Sequence, residues 1–183
     1  MPVYISMLRG INVGGHNLVP MERLRALLEA CGFHSVQTYI QSGNVVFQAP
    51  RNEPVALSRK IEAAVLREFG FPVSVITRTP QDLGRVLQSN PFVKEVKSAP
   101  AKVHVAFLAD IPPADAAKKL RGMATTAERV CCSGREVYLY FENGMGKAKL
   151  TGSVIERVLG LKATARNWNT VSKLNEMALQ SGG

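Results

Sequence analysis

The sequence predicts an α+β fold, a tandem duplication of two ferredoxin-like β-α-β-β-α-β units with a C-terminal helix. Three observations lead there. Short apolar runs with strand character alternate with longer runs of helical period. The order strand, helix, two strands, helix, strand occurs twice. Each half also carries a Ser-Gly turn between its middle strands, Ser42-Gly43 and Ser133-Gly134. The competing reading is one mixed α+β domain without duplication, because residue identity between the halves is weak.

The elements follow in order. Val3–Leu8 is an apolar first strand. Pro20–Cys31 is helical, with Met21, Leu24, Leu27 and Leu28 on one face and Gly32 as a stop. Ser35–Ile40 and Val45–Gln48 are strands joined by the turn Gln41-Ser42-Gly43-Asn44. Pro54–Phe69 is helical, aligning Leu57, Ile61, Ala64 and Val65 ahead of Gly70, and Val73–Thr77 is the fourth strand. Pro80–Ser89 reads as a linking helix and Asn90–Pro100, with its prolines and lysines, as a linker. The pattern then repeats. Lys102–Leu108 is a strand and Pro113–Gly122 a helix. Glu128–Cys132 and Glu136–Phe141 form a hairpin, and Lys147–Leu159 is helical, with Leu150, Val154 and Val158 aligned. Ala163–Asn167 is a short strand and Thr170–Leu179 the final helix. The expected organisation is unit one over 1–79, a linking helix and linker over 80–101, and unit two with the last helix over 102–183.

Composition narrows the function classes. The chain has 183 residues, 46% of them hydrophobic and 20% charged. That is a globular balance, not a disordered one. The net charge is +9, from 23 basic and 14 acidic residues. This favours anionic partners such as nucleotides, nucleic acid or phosphorylated metabolites, against the plain reading of a solvated basic surface. Three cysteines, Cys31, Cys131 and Cys132, make a poor disulfide framework and read as reduced thiols. No Cys/His spacing suggests zinc, so neither a metal nor a cofactor is expected. No apolar run approaches the ~18 residues of a membrane span and no signal-peptide pattern opens the chain. The expectation is a cytoplasmic protein with no membrane partner.

Four polar motifs stand out. Arg9-Gly10-Ile11-Asn12-Val13-Gly14-Gly15-His16 ends the first strand and leads toward a helix. Its glycines let the backbone turn sharply and approach a ligand. The spacing is not the G-x-G-x-x-G of a dinucleotide fold. Backbone N–H groups ahead of a helix still favour an anion, against the plain reading of a turn. Gln41-Ser42-Gly43-Asn44 places two amides and a hydroxyl at a hairpin tip, where a conformational role is equally served. Asn143-Gly144-Met145-Gly146-Lys147-Ala148-Lys149 precedes a helix. Lys147 and Lys149 suit a phosphate or carboxylate, although Phe141 and Ala148 exclude a Walker motif. Arg166-Asn167-Trp168-Asn169-Thr170 holds the only Trp. Arg166 beside Trp168 suits a flat or anionic ligand, while Asn169 or Thr170 is expected to cap the last helix.

In a ferredoxin-like unit the first loop and the middle hairpin emerge at one sheet edge. That brings Arg9, Gly10, Asn12, Gly14 and Gly15 beside Gln41, Ser42 and Asn44. In the second unit the same logic brings Asn143–Lys149 beside Arg166–Thr170. Catalytic groups are few. His16 is the one candidate general base, because His34 reads as a loop residue and His104 as a half-buried strand residue. RNA binding through strand aromatics would fall to Tyr138 and Tyr140, whose burial is the competing reading.

Taken together, Leu8–Gly15, Met21 to Leu24-Arg25, Gly32-Phe33, Thr38–Val45 and Thr164–Val171 to Lys173-Leu174 resemble the bacterial proteins catalogued as domain of unknown function 1697. The resemblance implies a duplicated ferredoxin-like fold and supplies no activity. Ala148 departs from the family pattern, which has Ser before Lys-Leu-Thr. The leading functional expectation is a binding protein for an anionic ligand in a composite polar site. The alternatives are an enzyme acting on a small phosphorylated or carboxylated metabolite, and a structural or protein-interaction module.

Overall fold

The structure, a computed structural model, describes residues 1–182. The chain divides into two compact units: unit 1, Met1–Gly84 together with the segment from Lys173, and unit 2, Arg85–Ser172. Unit 1 holds β1 (Val3–Leu8), α1 (Met21–Ala30), β2 (His34–Tyr39), β3 (Asn44–Gln48), α2 (Pro54–Phe69) and β4 (Val75–Arg78). The division falls inside α3 (Pro80–Gln88). Unit 2 holds α4 (Val93–Ser98), β5 (Val103–Leu108), α5 (Ala114–Gly122), β6 (Glu128–Ser133), β7 (Glu136–Phe141), α6 (Gly152–Leu159) and β8 (Ala163–Asn167). The last helix, α7 (Trp168–Ser181), spans the second division point.

Each unit is an α+β body built on one four-stranded antiparallel sheet, in the orders β2-β3-β1-β4 and β6-β7-β5-β8. The apolar face of each sheet packs on two helices, as alternation in the strands and helical period in the helices require. In unit 1, Tyr4, Leu8, Val45 and Phe47 meet Leu24 and Leu28 of α1 and Leu57, Ile61 and Val65 of α2. In unit 2, Ala106, Leu108, Val137 and Leu139 meet Leu120 of α5 and Ile155 and Leu159 of α6.

The resemblance between the units extends to single hydrogen bonds. Leu8 N donates to Gly43 O and Leu108 N to Arg135 O, both at 2.8 Å. Arg9 N donates to Ser74 O and Ala109 N to Lys162 O, both at 2.9 Å. Arg78 lies opposite Ile5, and Arg166 opposite Val105, at matching register positions. Two such sheets fit a duplication. The register corrects one expectation. Gly43 corresponds to Arg135, so the two Ser-Gly pairs are displaced by one residue instead of occupying the same place.

Four segments differ from their sequence expectations. Asn90–Pro100 is not a plain linker, because Val93–Ser98 is helical and Pro100–Lys102 forms a 3-10 turn. Asn90 starts this compact segment by accepting from Phe92 N at 2.9 Å. His34 begins β2 and does not lie in a loop. The helix expected from Lys147 starts only at Gly152. Ala148 and Thr151 are extended, and the Thr151 hydroxyl caps the helix by accepting from Val154 N. The last helix starts at Trp168, so neither Asn169 nor Thr170 is its cap. Asn167 caps it, its Oδ1 accepting from Thr170 N at 3.0 Å.

Candidate functional site

In unit 1 the loop after β1 is a small rigid finger. Val13 and His16 close a turn through His16 N donating to Val13 O at 3.0 Å. The two residues between them, Gly14 and Gly15, have φ of 60° and 76°. Positive φ at both central positions is what a type I′ turn requires, which is why glycine stands at both. Below the tip, Asn12 N donates to Asn17 O at 3.1 Å. The Asn12 side chain clamps the base: Oδ1 accepts from Val19 N at 2.7 Å, and Nδ2 donates to Val19 O at 2.9 Å and to Gln41 O at 2.8 Å. Asn17 Nδ2 donates to Gly10 O at 3.2 Å. Asn12 and Asn17 both sit at positive φ, a conformation that Asn tolerates better than other side chains.

The loop and the β2–β3 turn are therefore adjacent and bonded. Gly43 shows how closely they approach. Its φ is 83°, and a Cβ there would lie 2.7 Å from Ile11 Cδ1 and 2.9 Å from Leu8 Cβ. Both amide hydrogens of Asn44 are engaged, by Tyr39 O at 3.0 Å and Ser42 Oγ at 2.9 Å. Asn12 and Asn44 thus hold the fold, while at this edge Gln41 and His16 are exposed and Arg9 is half-buried. Ile40, exposed at the same turn, has φ 52°. A β-branched residue there is strained.

In unit 2 the predicted groups follow β7 and β8, at the sheet edge opposite to the one described in unit 1, and with a different result. The loop before α6 offers the amides of Lys149 and Leu150, and the Glu128 carboxylate takes both, at 2.8 and 2.9 Å. An internal anion therefore fills the cradle that an external one would use. Lys147 and Lys149 themselves are exposed. Arg166 is buried and turned back onto its own strand, with Nη1 donating to Thr164 Oγ1 at 2.7 Å and Ala165 O at 2.9 Å. Burial lowers its pKa to about 10, so it stays a cation at neutral pH. Trp168 is half-buried at the start of α7.

The aromatic residues of β7 do not form a base-stacking platform. Tyr138 is buried and its hydroxyl donates to Val86 O at 2.8 Å. Arg129 covers Tyr140, its guanidinium carbon 4.6 Å from the ring centroid and 5.2 Å from that of Phe92. Glu95 pairs with Arg129, and that guanidinium holds the Glu95 carboxyl below its ordinary range. His104 is buried with Nδ1 unpartnered, edge-on to Phe141 at 5.3 Å, and burial depresses its pKa. Among the described residues no group of three or more His, Cys, Asp and Glu stands where it could hold a metal ion, and no helix is long and apolar enough to cross a membrane.

Charge is unevenly divided. Unit 2 contains fourteen of the 23 basic residues and seven of the 14 acidic ones, so +7 of the chain's +9 resides there. Unit 1 has nine and seven. The exposed cations of unit 2 include Lys118, Lys119 and Arg121 on α5 and Arg157 on α6, none of which was singled out from the sequence. Helical period could have found them, since Ala117 and Leu120 turn inward and leave these residues facing out.

Unit 1 also has a cleft of about 700 Å³, lined by Tyr4, Arg51, Asn52, Glu53, Thr79 and Gln81 among others. None of the predicted site residues lines it.

Residues 1–138 match the family described as "Protein of unknown function (DUF1697)". The chain belongs to that family. The DUF1697 match contains the finger and the β2–β3 turn and ends before Lys147 and Arg166. A solved structure, described as that of conserved bacterial protein SP0830 from Streptococcus pneumoniae, is similar with a TM-score of 0.73 and 22% identity. The alignment covers 97% of this chain and 98% of that one. At that identity the likeness speaks for the DUF1697 fold alone. No curated protein matches.

Proposed function

We propose that this chain is a binding protein for an anionic ligand, with unit 2 supplying the attraction. The uneven charge carries the reading: two sheets of the same strand order differ by five charges, +7 against +2. Net charge of one sign on one body raises the local concentration of anions and their association rate. We take the two bodies as ferredoxin-like units, which the strand orders and the matching hydrogen bonds support. The three free cysteines suit a cytoplasmic setting. Calorimetric titration with nucleotides and inorganic polyphosphate at low and high salt tests the reading. Binding that weakens with salt is expected, and failure to bind any of them at low salt overturns it.

A second reading, an enzyme for a small metabolite, draws on the unit 1 cleft, whose size falls in the range of ligand sites. Its test is turnover lost on Arg51→Ala or Glu53→Gln but kept on removal of the α5 and α6 cations.

A further inference from the structure

We infer that the unit 1 cleft binds a small zwitterion, an amino acid with an apolar side chain or a short apolar peptide, through Arg51 and Glu53. This rests on the cleft of the second reading above and names its ligand class, and it requires no turnover.

The cleft lies wholly within unit 1, at the end of the sheet where β1 begins and β3 and β4 finish. Its volume of about 700 Å³ suits a small molecule. Tyr4 fixes the wall that carries the charges. Its hydroxyl donates to Asn52 O and accepts from Asn52 N, both at 3.0 Å. Asn52 is thereby pinned to β1. The residues on either side of it, Arg51 and Glu53, both line the cleft. Both are exposed, and among the described residues neither side chain has a hydrogen bond or an ion pair.

Charge selects the ligand. A plain anion is drawn by Arg51 and opposed by Glu53, and a plain cation meets the reverse. A molecule with both signs gains from both. The Cα atoms of Arg51 and Glu53, two residues apart, are separated by at most about 7 Å. The two signs therefore belong close together, as on an amino acid. Helix ends sort charge the same way. α2 begins at Pro54 and α3 at Pro80, both on the cleft, and the last turn of α7 brings Ala178 and Leu179 to it. Two positive ends and one negative end thus flank the space. Val3, Ala178 and Leu179 supply an apolar lining, with Leu179 exposed, which an apolar side chain would cover.

Unit 2 shows what the matching loop accepts. There the loop between β7 and α6 gives its Lys149 and Leu150 amides to the Glu128 carboxylate of β6. The strand in that place in unit 1 is β2, which contains no acidic residue. The loop between β3 and α2 thus receives no carboxylate from its neighbouring strand, and the cleft leaves room for one from outside.

The test is calorimetric titration of the full chain with L-leucine, the dipeptide Leu-Leu, 4-methylpentanoate and 3-methylbutylamine. The last two are leucine stripped of one charge each. Leucine or Leu-Leu binds, and each stripped analogue binds about tenfold more weakly or worse, the loss of one charged hydrogen bond. Arg51→Ala weakens the zwitterion about tenfold without weakening 3-methylbutylamine, and Glu53→Gln does so without weakening 4-methylpentanoate. Both side chains are exposed and unbonded, so these variants keep the fold. Binding of leucine alone assigns the free amino acid, and binding of Leu-Leu alone assigns a peptide. Failure of both to bind overturns the inference, as do equal binding of the analogues or unchanged affinity in both variants. Turnover of another metabolite, lost on Arg51→Ala while neither zwitterion binds, removes the inference and leaves the enzyme reading.

Discussion

Glu62 and Glu156 perform the same task in their two units. The Oε1 of each accepts the amide of the first residue of the fourth strand, Val75 or Ala163, at 2.9 Å. A helix carboxylate thereby fixes where the closing strand begins. Replacing either by Ala removes a charged hydrogen bond at a partly buried site, and a loss of about 1–2 kcal/mol is expected in each case. Chemical denaturation of Glu62→Ala and Glu156→Ala measures it. Similar losses support equivalent roles, while a loss at only one site separates them.

The finger depends on Asn12. Asn12→Ala removes three side-chain hydrogen bonds and places Ala at φ 55°. At about 1 kcal/mol for each of the better-shielded bonds, a loss of about 2–3 kcal/mol is expected. Amide exchange should rise most at Val19, whose N–H bonds the Asn12 side chain. Protection of Val19 unchanged from wild type would show that the clamp is not what orders the loop.

Gly43 separates backbone strain from close packing. Gly15→Ala meets nothing within 4 Å, so its effect is that of positive φ alone, about 1–2 kcal/mol. Gly43→Ala adds the approach to Leu8 and Ile11 and should destabilise further. Equal effects would mean that Leu8 and Ile11 move aside freely.

His104 gives unit 2 a pH dependence. Burial depresses its pKa below the ordinary 6.5, so the unfolded chain takes up a proton first as pH falls. Its contribution is fully favourable above about pH 6.5 and is lost as pH falls through the depressed folded value. For one proton the slope is at most about 1.4 kcal/mol per pH unit. Denaturation midpoints from pH 8 downward measure it, and His104→Leu should flatten the curve below pH 6.5.

Much of the fold was legible in the sequence. Val3–Leu8, Pro54–Phe69, Glu136–Phe141 and Ala163–Asn167 have the bounds that alternation, helical period and glycine stops predict. The adjacency of the Arg9 loop and the Gln41 turn also followed from strand order. Less legible was what the polar residues do once adjacent. Asn12 and Asn44 look like ligand groups in sequence, yet their amides meet backbone carbonyls of their own unit. Glu128 meets Lys149 and Leu150 across a separation of 21 and 22 residues, which no local pattern announces. It also holds that stretch extended, which is why helical period misplaced the start of α6. The cations of α5 escaped notice because no glycine or amide motif surrounds them.

The most direct measurement of the central claim is an NMR amide-shift titration of the full chain with inorganic tripolyphosphate at low salt. Attraction by unit 2 predicts salt-sensitive shifts concentrated in α5, α6 and the Lys147–Lys149 segment. Shifts confined to Gly10–Asn17 and Gln41–Asn44, with unit 2 unmoved, would contradict it.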